Sequence, residues 1–153
     1  MKKLHLKIPP PLVAIVCGMM IWGLSVLLPI HSVDADIRNT IAYTLLGMAG
    51  IIDAWALISF RLAKTTIDPR YPHKTSMIVS SGIYKYTRNP MYLGLTFILS
   101  ALSIWFGARF GLFVVVIFIL YINRFQIKPE EDALEKQFGE SYLEYKSRVR
   151  RWI

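Results

Sequence analysis

Long apolar runs separated by short polar segments dominate the chain. Leu12–Ile30 and Ile41–Phe60 carry one charged side chain between them, Asp53. A membrane-spanning helix needs roughly 20 mainly apolar residues to cross a hydrocarbon core of about 30 Å. The pattern therefore predicts spans over about residues 12–30 and 40–62. Two shorter apolar stretches follow, Met91–Phe106 and Phe110–Ile122, and the second continues through Asn123–Ile127. They predict spans over 91–106 and 110–127, and the glycine-flanked connector Gly107–Gly111 suits a tight helical hairpin. A connector over 63–90 and a tail over 128–153 complete a single domain, 1–153. In the tail, Leu134, Phe138, Tyr142, Tyr145, Val149 and Trp152 recur at spacings of three and four, the stripe of an amphipathic helix. Pro129 fits its first turn, where Glu130, Glu131 and Asp132 would compensate the N-terminal dipole, and Gly139 is placed to interrupt it.

Composition strengthens this reading. Of 153 residues, 54% are hydrophobic and only 18% charged, too little polar surface to cover so much apolar material in a soluble domain. Cys17 is the only cysteine, so a disulfide scaffold is excluded. A cleaved signal peptide over Met1–Pro29 is disfavoured, because the apolar run is long and no small-residue cleavage site follows it.

The net charge of +8 acquires a meaning from its distribution. Of the 18 basic residues, 16 lie before span one, from the end of span two (Arg61) to the start of span three, or from the end of span four (Arg124) onward; Arg38 and Arg109 alone occupy the other two segments. Basic residues collect on the cytoplasmic side of a membrane, so four spans with both termini cytoplasmic are predicted. The charge then sets topology and gives no reason to expect a nucleic-acid partner; the expected surroundings are the lipid bilayer. The basic end of the tail, Lys146 to Arg151 with Trp152, would suit an anionic leaflet.

Candidate chemistry gathers in the two cytoplasmic segments. His73 has no second histidine or cysteine at metal-ligand spacing, and His5 and His31 lie at the ends of apolar segments, so no metal site is expected. Asp53, a carboxylate inside a span, faces either a helix-packing partner or a ligand cavity. The junction Ser81–Gly94 places Gly82 and Pro90 around tyrosines, Arg88 and Asn89 at the membrane boundary. If spans three and four form a hairpin, this junction and the cluster Arg124–Glu131 converge at its open end and enclose a polar pocket.

Several segments together resemble the isoprenylcysteine carboxyl methyltransferase family, in the form of a short member. They are Thr65–Pro69, Ile78–Tyr84, RNPMYLG (Arg88–Gly94) and EEDALEKQFGESYLEYKSRV (Glu130–Val149), in order, over roughly residues 60–153. The first two spans are similar to that family only in being apolar. The resemblance implies an all-α integral membrane enzyme that transfers a methyl group from S-adenosylmethionine to a small lipophilic or amphiphilic acceptor. By position it implies that Ile78, Val79, Tyr84, Asn89, Pro90, Tyr92 and Glu130 contact that cofactor. Asn89 stands where the family has histidine, and Ser76 stands at a second family histidine. A substrate-binding arginine of the family falls at Gln126; Arg124 lies nearby, but two residues is about 200° around an α-helix. Arg124, Gln126 and Asp53 are the candidates on the acceptor side. The alternatives are a phospholipid amine methyltransferase and a non-catalytic membrane assembly or transport subunit; sterol reductases share part of the C-terminal pattern but have more spans.

Overall fold

A computed structural model describes residues 8–29, 33–63 and 78–153. The described residues fold into helices: α1 (Pro10–Leu27), α2 (Ala35–Ala63), α3 (Pro90–Trp105), α4 (Gly111–Ile122), α5 (Lys128–Phe138) and α6 (Glu140–Arg148), with a short 3₁₀ turn over Gly82–Lys85. Prolines open α1 and α3, where a missing N–H costs nothing and the fixed φ suits the first turn. Thr65–Pro69, His73, Ser76, His5 and His31 lie outside the described residues.

Among the described residues, three helical stretches are long and apolar enough to cross a membrane: Pro10–Leu27, Ala35–Ala63 and Gly111–Phe138. The predicted third span is the shorter apolar helix α3, with 16 residues. The fourth differs from expectation at its end. α4 continues without a break through a π-helical stretch, Asn123–Ile127, into α5. Glu130 and Glu131 therefore do not sit at a free helix N-terminus, and compensation of a dipole there does not account for them. Gly139 separates α5 from α6 as expected, but the helix ends at Arg148, and Val149 is already extended. The predicted helix over 128–153 is thus two helices and a non-helical tail.

α3 is central, packed against α1, α2 and α4. Ile21, Leu99, Val114, Phe118, Ile122 and Ile127 fill the core between α1, α3 and α4. On the opposite flank α2 turns small residues inward: Ala42, Ala49, Ala56 and Ser59 are buried. Small side chains let backbones approach closely, as helix pairs in membranes commonly require. The outer faces are apolar and bare, with Ile15, Trp22, Ile51, Ile58, Phe113 and Leu120 all exposed. A soluble monomer rarely leaves so large an apolar surface uncovered, and it suits these helices to a membrane.

The helix ends form two groups. At one, the Arg109 amide donates to the Leu28 carbonyl, and Arg38 reaches the Trp105 carbonyl. The two minority basic residues thus share one end. At the other, the Gln126 side-chain amide donates to the Ile8 carbonyl at 2.7 Å, and the junction before α3 meets the C-terminal tail.

Candidate functional site

The site forms where the two packed flanks meet, at the end carrying most of the basic residues. Gly82 has φ of +60°, a left-handed conformation that costs glycine little and other residues more. A Cβ there would stand 2.3 Å from Ser59 Oγ and 3.0 Å from Trp55 Nε1. The chain can therefore lie against α2, which seats Val79, Ile83 and Tyr84 on Ala56. Gly94, one turn into α3, meets α2 as closely: a Cβ on it would lie 2.1 Å from Asp53 Oδ1. Both glycines of the junction are thus spaces for α2, the helix whose sequence looked merely apolar. Asp53 Oδ1 is buried without a hydrogen-bond partner among the described residues.

Tyr92 and Glu130 make the central contact. The buried Tyr92 hydroxyl donates to Glu130 Oε1 at 2.5 Å. Glu130 lies beyond the apolar run of the last span, and its pKa is pushed up to about 8. Burial is the main cause; the neighbouring Glu131 adds to it, while the hydrogen bond from Tyr92 opposes it. The carboxyl of Glu130 is therefore largely protonated near neutral pH and ionises readily only when a cation comes close. Tyr84 lies near enough for its phenol to be raised further by Glu130 and Asp53, after burial and Tyr145. It also packs edge-on to Phe60, with ring centroids 5.3 Å apart.

Beside this pair lies a network that sequence reasoning missed. Glu131 is buried and receives Arg88 Nη2 at 3.1 Å and a bidentate Arg151, through Nε at 3.0 Å and Nη2 at 2.6 Å. Arg88 Nε and Nη1 are buried with no partner among the described residues. The tail closes over the junction: the Arg88 amide donates to the Arg150 carbonyl, and Thr87 Oγ1 and Asn89 Nδ2 donate to the Arg151 carbonyl. Trp152 Nε1 donates to Asn123 Oδ1 in the π-helical stretch. Arg151 and Trp152 are thus engaged with the protein, while Arg148 and Arg150 remain exposed. Tyr142 and Tyr145, from the apolar stripe of the tail, are buried, and the Tyr145 hydroxyl donates to the Tyr84 carbonyl at 2.8 Å.

Of the predicted cofactor residues, Tyr84, Pro90, Tyr92 and Glu130 line this region, and Val79 is buried on its flank beside the half-buried Ile78. Asn89 is also here, but its side chain is committed to the tail. On the acceptor side Arg124 is exposed, whereas Gln126 is fully buried with Oε1 unpartnered. The π-helical turn changes the angular register that an α-helix would impose on these two, something their spacing in the sequence could not reveal.

The sequence profile of phospholipid methyltransferases matches residues 37–141, which take in α2, the junction, α3, α4 and Glu130. The chain belongs to that family. It is also 34% identical to the protein-S-isoprenylcysteine O-methyltransferases of Mus musculus and Rattus norvegicus over 85 residues, 49% of this chain and 26% of each enzyme. It therefore spans about a quarter of those enzymes' length. An uncharacterized protein of Haemophilus influenzae is 51% identical over its entire length, 63 residues, or 41% of this chain. No solved structure matches.

Proposed function

We propose that this family member is a membrane methyltransferase that uses S-adenosylmethionine as donor, with its site at the cytoplasmic face and a small lipophilic or amphiphilic acceptor. The observation that carries the reading is the part-buried Tyr92–Glu130 pair beside the donors of Arg88 left without a partner among the described residues. Those groups suit the amino-acid end of the cofactor. Glu130 offers a carboxylate to its ammonium once a cation makes ionisation favourable, and Arg88 Nε and Nη1 offer a guanidinium edge to its carboxylate. Tyr84, Val79 and Pro90 supply apolar and aromatic surface for the remainder.

When bound, the sulfonium supplies an electrophilic methyl group. The protein's part is alignment: holding donor and acceptor in attack geometry is worth about 7–11 kcal/mol. An acceptor that arrives ionised, such as an isoprenylcysteine-like carboxylate or a thiolate, loses its charge as the new bond to methyl forms. It has no proton to give up, so Asn89 in place of a histidine is compatible with the chemistry. Tyr92 keeps its hydroxyl proton, donates it in a hydrogen bond to Glu130 and so orients that carboxyl.

A phospholipid amine is the second reading for the acceptor. It is favoured by Asp53, which acts electrostatically on Tyr84 and carries a buried oxygen without a partner among the described residues. That carboxylate would take the proton an ammonium must lose before its nitrogen can accept a methyl group. Titrating the purified full chain in detergent with S-adenosylmethionine tests the donor; a folded protein without saturable binding would leave a non-catalytic membrane subunit as the better reading. Transfer of labelled methyl into a panel of prenylcysteines, phospholipids and thiols then separates the acceptors.

A further inference from the structure

Two guanidiniums share one carboxylate beside the Tyr92–Glu130 pair. Glu131 Oε1 accepts Arg88 Nη2 at 3.1 Å and Arg151 Nε at 3.0 Å, while Oε2 accepts Arg151 Nη2 at 2.6 Å. The three side chains together carry one positive charge in excess, and those of Arg88 and Glu131 have little contact with solvent. We propose that Arg151 is a positioning residue for the methyl donor, which through Glu131 aims Arg88 at the donor's carboxylate. The inference rests on the methyltransferase reading.

The excess charge belongs to Arg88. Arg151 forks both oxygens of Glu131 and stays partly exposed, so carboxylate and water satisfy it. Arg88 touches Glu131 through one nitrogen, and its Nε and Nη1 have no partner among the described residues. A buried cation in that condition calls for a second anion. The adjacent carboxyl does not supply it, since Glu130 is bound by Tyr92 and largely neutral near neutral pH in the free protein. The buried phenol of Tyr142 is acted on electrostatically by Glu131, Arg88, Glu130 and Arg151 together. An anion that answers Arg88 therefore lies next to the carboxyl that would meet an ammonium. An α-amino acid group, with ammonium and carboxylate on one carbon, satisfies both at once.

The tail fixes Arg88 from two directions. The Arg150 carbonyl accepts the Arg88 amide, and the Arg151 carbonyl accepts Thr87 Oγ1 and Asn89 Nδ2. The main chain around Arg88 is thus held by the same segment that holds its side chain through Glu131. An arginine's planar fork fixes the orientation of the carboxylate it grips. With Glu131 fixed, Arg88 keeps one nitrogen on it and turns two others to a ligand. Without Arg151, Arg88 is free to fork Glu131 itself, which cancels its charge and withdraws those donors.

Decarboxylated S-adenosylmethionine is the probe, because it keeps the ammonium and the sulfonium and lacks the carboxylate. Calorimetric titration of the full chain in detergent should show that the wild type prefers S-adenosylmethionine to this probe. In Arg151→Ala the preference should fall about tenfold, the size of a weakened charged hydrogen bond, with no loss of affinity for the probe. A merely structural role would weaken both ligands alike, and that result would overturn the proposal. Trp152→Phe removes the tail's bond to Asn123 without touching Glu131, and it should leave the preference intact. A fall there as large as in Arg151→Ala would also count against the role of Arg151. Arg151→Lys keeps the charge but not the fork; it should lose the preference too, and it serves if Arg151→Ala does not fold. If neither folds, hydrogen exchange in the wild type decides. Coupling is reciprocal, so S-adenosylmethionine should slow exchange over residues 149–153 more than the probe does, and equal slowing would refute the coupling. A wild type that binds both ligands equally would end the proposal and leave the donor site standing. Binding of neither would sink the methyltransferase reading itself.

Discussion

The side-chain amide of Asn89 donates a 2.8 Å hydrogen bond to the carbonyl oxygen of Arg151, sixty-two residues further along the chain. Thr87 reaches the same carbonyl, and the Arg88 amide reaches that of Arg150. Three successive residues of the junction are therefore closed by the tail. This gives Asn89 a structural task at a position where the family resemblance pointed to a cofactor contact.

Asn89→Ala should accordingly act on stability more than on donor binding. Losing one net hydrogen bond costs about 0.5–1.5 kcal/mol, and the thermal midpoint in detergent should fall by a corresponding amount. Affinity for S-adenosylmethionine should stay within a few-fold of the wild type. A large loss of affinity without loss of stability would return Asn89 to the cofactor wall.

Arg88 and Arg151 share Glu131 but should not be equal. The Arg88 side chain is 9% exposed against 37% for Arg151, so solvent screens the second far more. Arg88→Ala removes a buried partner from a buried carboxylate, a change that typically costs about 3–5 kcal/mol. Arg151→Ala should cost about 1–2 kcal/mol, closer to the loss of a charged hydrogen bond. Denaturant or thermal unfolding of the two variants side by side checks the ranking, and equal losses would contradict it.

The legible part of this protein was its polar half. Apolar run lengths marked the helices, proline marked the starts of α1 and α3, and the motif RNPMYLG with the acids after span four named residues that the fold brings together in the candidate site. The role of α2 was not legible, because Ala42, Ala49 and Ala56 read as ordinary apolar residues until α3 is laid on them. Their spacing of seven was the available signal, as a stripe of small side chains is what close helix packing in a membrane needs. The partners of Glu131 were hidden for another reason. Arg88 and Arg151 are far apart in sequence, and basic residues beside aromatic ones at a membrane boundary suit a lipid interface equally well. The π-helical turn at Asn123–Ile127 leaves no mark in apolar periodicity over so short a stretch.

The two junction glycines should respond differently to relief. Gly94→Ala drives a methyl into Asp53, and overpacking of this kind typically costs about 1–3 kcal/mol. Asp53→Ala removes the obstructing carboxyl, so the double variant should recover most of the loss, with a coupling of about 0.5–3 kcal/mol. Gly82→Ala meets Ser59 but must also hold φ near +60°, so Ser59→Ala relieves only the contact and leaves the backbone strain. Thermal unfolding of the two cycles distinguishes a rescued Gly94 from an unrescued Gly82.

Glu130 makes donor binding depend on pH with a definite sign. Its pKa of about 8 in the free protein leaves it largely neutral at pH 6, and a bound ammonium favours its ionised form. Affinity for S-adenosylmethionine should therefore rise with pH, by about tenfold per unit well below the pKa, because only the ionised fraction is fully competent. Near pH 8 the rise should bend over, since an α-amino group itself deprotonates at about 7.7–8.0. Glu130→Gln keeps a hydrogen-bonding side chain but cannot ionise, so it should bind more weakly at pH 7.5 and lose the rising limb between pH 6 and 7.5. Calorimetric titration at several pH values reads both effects. An unchanged slope in Glu130→Gln would mean that another group meets the donor's ammonium.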